Sequence, residues 1–156
     1  LQDNRRVSVP RLTAGMLDEL AFARAAIEPR LAELAAPHVD AAAQARLAAI
    51  DADIEPAIRA GDIHTYLCLN HAFHFALYEQ ANAPVLLDLA RSLWLRFGPA
   101  LRAVVALYGP SGLPDRHAEA LAALAAGDAA GVARAMAADI ADGVGLVHQA
   151  LEAGQV

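Results

Sequence analysis

Residues 84–101 read PVLLDLARSLWLRFGPAL. Leu86, Leu89, Leu93, Phe97 and Leu101 recur every three or four positions, so a helix would bring them onto one face. Pro84 suits a first helical turn, with Asn82 or Ala83 before it. Gly98-Pro99 is expected to interrupt or kink this helix. The same periodicity extends outward in both directions. Residues 13–36 place Leu17, Leu20, Ala21, Arg24, Ile27, Glu28 and Leu31 at helical spacing, with Pro29 as a candidate kink and Pro37 as the stop. Residues 40–60 have Asp40 as N-cap and Gly61 at the end, and Pro56 bends this segment or ends it early. A third helix starts at Asp62 and runs to about residue 81. Residues 109–114, with Pro110, Ser111 and Gly112, read as a loop. Residues 113–126 form a fifth helix that stops at Gly127. Asp128 caps a sixth that reaches residue 151, with Gly143 and Gly145 weakening its last turns. Short loops between amphipathic helices imply an all-α, antiparallel bundle of six helices, or seven if Gly98-Pro99 splits the fourth. Residues 1–11 read as a linker or the remnant of a preceding domain, and residues 12–152 as one helical domain.

Composition narrows the function. The chain has 156 residues, 57% hydrophobic and 19% charged, which suits one globular core. Its 12 basic residues are all Arg, against 18 acidic ones, for a formal charge of −6. No basic stripe is visible, so this segment alone is not expected to bind nucleic acid. Without Lys there is no Walker-type phosphate loop and no Schiff-base lysine. The one cysteine, Cys68, cannot form an internal disulfide, suits a reducing cytoplasm, and reads as a small buried side chain on a helix. No apolar run is long enough for a membrane span, and no signal peptide is visible. The abrupt polar start at Leu1 suggests a piece of a longer protein.

The chemistry-bearing candidates are few. Asn70 and His74 lie four apart, about 40° from each other around a helix, and Phe73 and Leu77 put that face near the core. His117 sits early in the fifth helix and Asp139 midway along the sixth. If those helices meet, two imidazoles, a carboxylate and an amide could converge, a donor set suited to Zn, Ni or Mn. The plain alternative is a set of ordinary core and surface polar residues. Arg24, on a core-facing position, either grips a ligand carboxylate or pairs with Glu28 four residues on. Arg102 is a second candidate for the cavity, with a solvated face as its alternative. His38, His64, His71 and His148 read as surface or capping residues, and Tyr78 and Trp94 as aromatic packing. There is no His-Glu-x-x-His, no Glu-x-x-His pair, no Gly-x-Ser-x-Gly elbow and no complete dinucleotide fingerprint.

Three stretches resemble one family in the right order. They are Arg24-Ala-Ala-Ile-Glu28, then Asn70-His-Ala-Phe-His74 followed by Ala81-Asn82, and finally Arg116-His117 through Gly127-Asp128 to Met136-Ala-Ala-Asp139. Together they cover roughly residues 12–152 and are similar to the C-terminal effector-binding (FCD) domain of the FadR subfamily of GntR-type bacterial transcription regulators. The resemblance implies a divalent metal held at the positions of Asn70, His74, His117 and Asp139, where the family pattern is Asp, His, His, His. Here Asp has become Asn at 70 and His has become Asp at 139. The formal charge around the ion is unchanged, but one imidazole is lost, so weaker transition-metal binding or a harder ion is expected. The resemblance further implies a small carboxylate effector bound with Arg24 and Arg102, a cytoplasmic homodimer, and DNA contact only through a winged-helix domain absent from this chain. On this reading the chain is not an enzyme. A metal-dependent bundle enzyme and a plain helical dimerisation module are the alternatives.

Overall fold

A computed structural model describes residues 12–109 and 114–155. The expected linker at 1–11 lies outside the described residues. Among those described there are seven α-helices and no strand: α1 (Ala14–Ala35), α2 (Ala41–Ala52), α3 (Ile54–Ala60), α4 (Ile63–Tyr78), α5 (Pro84–Tyr108), α6 (Arg116–Ala125) and α7 (Ala129–Glu152). Short 3₁₀ turns follow α1 and α4. Side chains cap the starts. Thr13 accepts from the Met16 amide, Asp40 from Ala43, Asp62 from Thr65, Asp115 from Ala118 and Asp128 from Gly131, each satisfying an amide that has no partner inside its helix.

The extra helix does not come from Gly98-Pro99, which α5 crosses unbroken. Leu95, whose carbonyl lacks an amide partner because of Pro99, is 80% exposed, so water can take the vacated bond. The division falls instead at Asp53, between α2 and α3. Inside one continuous helix, Pro56 would clash with the Ala52 carbonyl. Starting anew at Ile54 places Pro56 in a first turn, where no amide is needed.

The chain order brings helix ends together in an antiparallel sense. Leu17, near the start of α1, shares an apolar cluster with Val104 and Val105 near the end of α5 and with Val144 and Val147 near the end of α7. Leu31 and Ala35, near the end of α1, share a second cluster with Ala90 and Trp94 early in α5 and with Val132 and Met136 early in α7. Thus α1 runs against both α5 and α7. The turn at Gly127, φ +69°, folds α6 back onto α7. Between the two apolar clusters lies a layer of buried polar side chains: Arg24, Glu28, Asn70, His74 and His117. This layer is what the fold positions.

Candidate functional site

Three helices supply the centre. His74 is wholly buried on α4, His117 sits in the first turn of α6, and Asp139 is midway along α7, about a quarter exposed. His74 Nε2 lies 3.1 Å from Asp139 Oδ2 and 3.4 Å from His117 Nε2, and His117 Nε2 lies 4.0 Å from Asp139 Oδ1. The sequence left the meeting of these helices conditional; the three side chains do share one point. The His117 ring is fixed by stacking on Phe73, with centroids 3.9 Å apart, and its Nδ1 faces Asp51 of α2 at 3.4 Å. The His74 ring meets Trp94 edge-on at 4.9 Å.

Behind His74 stands a second layer centred on Glu28, which has no solvent exposure. Arg24 donates to it twice, from Nε at 2.5 Å and from Nη2 at 3.3 Å. Trp94 Nε1 donates at 2.9 Å and the Tyr78 hydroxyl at 3.0 Å. The Arg24 guanidinium also lies over the rings of Trp94 (4.9 Å) and Phe97 (4.4 Å). Of the two readings open for Arg24, the structure has the pair with Glu28. Every fully buried side-chain nitrogen and oxygen among the described residues has a partner, as a polar layer inside an apolar core requires.

Two cavities share Tyr66, Asn70 and Asp139 in their walls. The outer one, about 150 Å³, is lined also by Asp51, Glu55 and His117. The inner one, about 30 Å³, reaches Arg24 and Trp94 and exceeds the roughly 10–15 Å³ that a single water requires. Asn70 is only 8% exposed, and no hydrogen bond ties its side chain to a described residue. Arg116 is the other basic side chain on the outer cavity, and it is bound to Asp142 and Glu119 at 2.9 Å each. An anionic guest would therefore meet acidic walls and guanidinium groups that already have partners.

Electrostatics follow from burial and these pairings. Burial pulls the His74 imidazole below its ordinary range, against the opposing hydrogen bond and charge of Asp139. Burial alone would raise the Asp139 carboxyl; the His74 hydrogen bond and the charges of His74, His117 and Arg24 outweigh it and hold the group low. The Tyr66 phenol is pushed up to about 12 by burial and by Asp139, so it remains a hydroxyl.

The donor set fits a divalent ion. His74, His117 and Asp139 offer ligand atoms that all lie within 4.8 Å of one another. Ligand atoms at 2.0–2.1 Å around a tetrahedral ion are spaced by about 3.3 Å; here His74 Nε2 lies 3.1 Å from Asp139 Oδ2 and 3.4 Å from His117 Nε2, while His117 Nε2 is 4.0 Å from the other carboxylate oxygen, so a small rotation of the carboxylate would close the set. Two imidazole nitrogens and a carboxylate match zinc or a neighbouring transition metal.

Two expectations need correction. Arg102 is exposed and lines a separate groove of about 840 Å³ with His71, Trp94 and Leu95. The buried stripe of α5 runs through Phe97, Leu101, Val104 and Val105, and Arg102 is turned about 100° away from Leu101. Cys68 is exposed rather than buried, because α4 turns Asn70, Phe73, His74 and Leu77 inward instead. Its thiol lies 3.7 Å from His64 Nε2. Asp51, Tyr66, and the hydrogen-bonding roles of Tyr78 and Trp94 were missed. Asp51 gives no signal in sequence, being one acid near the end of a surface helix.

Residues 19–142 match the FCD domain family. The chain belongs to that family. The FCD domain is similar to the HTH-type transcriptional regulator McbR of Escherichia coli (strain K12), with 27% identity over 146 residues. That alignment spans 91% of the FCD chain and 66% of the regulator, just under two thirds of its length. The solved structure of E. coli McbR/YncC matches with a TM-score of 0.85 and 26% identity, over 91% of the FCD chain and 72% of that one. The resemblance to effector domains of GntR-type regulators therefore holds, and the fold is that of McbR. The relative described here, McbR, is by its name a transcription regulator. No helix among the described residues is long and apolar enough to cross a membrane.

Proposed function

We propose that this FCD domain is the ligand-sensing part of a cytoplasmic, dimeric GntR-type regulator of the FadR branch. It would hold a divalent metal and bind a small organic acid, and contact DNA only through a winged-helix domain outside this chain. The convergence of His74, His117 and Asp139 carries the reading; family membership and likeness to McbR support it.

His74, His117 and Asp139 would hold the ion, with Asn70 beside them as a neutral fourth donor. When bound, the ion supplies positive charge and open coordination positions for a carboxylate. Asp51 holds the His117 ring from behind, while Tyr66 and Asn70 offer polar groups to a guest. Arg24 stays with Glu28 and sets the wall of the inner cavity. A ligand that favours one arrangement of α4, α6 and α7 would shift the population toward it, and α1, packed on α7, would carry the shift toward its own N-terminus.

The test combines metal analysis with thermal melts. Purified protein should retain about one equivalent of zinc, nickel or manganese. A panel of small carboxylates should raise Tm, because a ligand that binds only the folded state stabilises it. EDTA should abolish the gain. A Tm gain that survives complete metal removal would overturn the metal-mediated version, and no response to any organic acid would overturn the carboxylate assignment.

A further inference from the structure

We infer that the outer cavity is built for a guest that carries an ammonium group, so that the organic acid sensed here is a small amino acid rather than a plain carboxylate. The acid half of that guest rests on the proposed function; the ammonium half has its own basis in the cavity walls. Four carboxylates line the cavity: Asp51, Glu55, Asp115 and Asp139. Its one arginine, Arg116, is neutralised by Asp142 and Glu119 at 2.9 Å each. Asp139 belongs to the centre with His74 and His117, and Asp115 caps α6 through the Ala118 amide. Glu55 has only a long 3.6 Å pairing with Arg59, and both side chains are well exposed, so this pair contributes little. Asp51, about a fifth exposed, faces the His117 ring and no arginine among the described residues. A cleft walled by one sign of charge concentrates the opposite sign.

Asn70 adds an independent sign of a guest. It is only 8% exposed, its amide is tied to no described residue, and it stands in the wall that the two cavities share. A buried amide without a partner costs free energy, and a guest with a hydrogen-bonding group removes that cost. The amide oxygen can accept from an ammonium. A second metal ion does not account for the acidic walls, because among the described residues only His74, His117 and Asp139 bring three ligand atoms within 4.8 Å of one another. Asp51, Glu55 and Asp115 are spread more widely, which suits an organic cation with several N–H donors. Ile54, Ile58 and Pro114 offer apolar contact to a short carbon chain. The cavity measures about 150 Å³, a volume that elsewhere admits benzene, so the guest has about six heavy atoms. Alanine and β-alanine are of that size.

The test is calorimetry on the intact, zinc-loaded chain with propionate, alanine and β-alanine, which share a three-carbon skeleton. At least one amino acid should bind about tenfold more tightly than propionate, the scale of one charge-assisted hydrogen bond. The double variant Asp51→Asn, Glu55→Gln should erase that preference without weakening propionate. Because Asp51 also touches His117, Glu55→Gln alone serves as the variant that spares the centre, and it should narrow the preference about threefold. Equal affinity for all three acids in the wild type overturns the inference and leaves organic-acid sensing intact. So does a preference that is unchanged in Glu55→Gln or survives the double variant. If none of the three acids binds, the proposed function fails, and propylammonium decides the ammonium subsite on metal-free protein. A Tm gain over equal sodium chloride, present in the wild type and lost in the double variant, supports the subsite; no gain overturns it.

Discussion

Replacing Glu28 with Gln is the sharpest test of the buried layer. Four donor groups converge on this carboxylate: two from Arg24 and one each from Tyr78 and Trp94. Gln offers one oxygen and one NH₂ group that is itself a donor, so at least one of those donors would face another donor. The substitution also leaves the Arg24 charge, 3% exposed, without its counter-charge. Breaking a buried pair by removing one partner costs about 3–5 kcal/mol. For a chain of this length each kcal/mol lowers Tm by about 2–4 °C, so Glu28→Gln should melt roughly 6–20 °C lower. Arg24→Met should cost less, about 1–3 kcal/mol, because Glu28 keeps two neutral donors. The pair is measured by urea unfolding and by thermal melts followed by circular dichroism, both on metal-free protein. If Glu28→Gln falls within about 1 kcal/mol of the wild type, or if Arg24→Met proves the costlier change, the account of Glu28 as the hub of the layer is wrong.

Four further outcomes follow from the same geometry. His74→Ala and His117→Ala should each lower bound metal to well under half an equivalent by elemental analysis, and unchanged stoichiometry in both would exclude this centre. Asn70→Asp adds a second anionic donor and should tighten zinc binding on the order of tenfold by competition with a chelating dye; equal affinity would place residue 70 outside the coordination sphere. His74 is held below its ordinary value of 6.5, mainly by burial, so the unfolded chain takes up protons first as pH falls. Metal-free protein should therefore lose stability as pH drops through about 6.5 and below, whereas a flat urea midpoint from pH 7 to pH 5 would contradict that burial. Asp128→Ala removes the cap of α7 and should cost about 1 kcal/mol in urea unfolding, and a neutral result would show that the hydrogen bond to Gly131 contributes nothing.

Much of the frame was legible because it depends on local chemistry. Asp40, Asp62 and Asp128 announce helix starts, and Gly61 and Gly127 announce stops, through bonds that reach only three or four residues. Asp115 was overlooked because the fifth helix was expected to begin at 113, before Pro114. The break at Asp53 was foreshadowed by Pro56, yet its position depends on where a proline can sit without losing a bond. Position 24 shows the limit most clearly. The spacing from Arg24 to Glu28 permits a pair, but what settles it are donors 50 and 66 residues from Glu28, supplied by Tyr78 and Trp94. Periodicity assigns a residue to a face and says nothing of what that face meets. For the same reason Cys68, flanked by Leu67 and Leu69, read as buried while the helix turns it outward. The centre at His74 and His117 was legible chiefly through the resemblance, since spacing alone could not bring α4, α6 and α7 to one point.

The chain contains a single tryptophan. Its indole is anchored to Glu28 and its ring lies edge-on to His74. Emission from Trp94 thus originates beside the very side chains whose occupancy is in question, with no second fluorophore of its kind to dilute the signal. The molecule comes with its own optical reporter, and titrations of ions or organic acids can be followed by intrinsic fluorescence without attaching a dye.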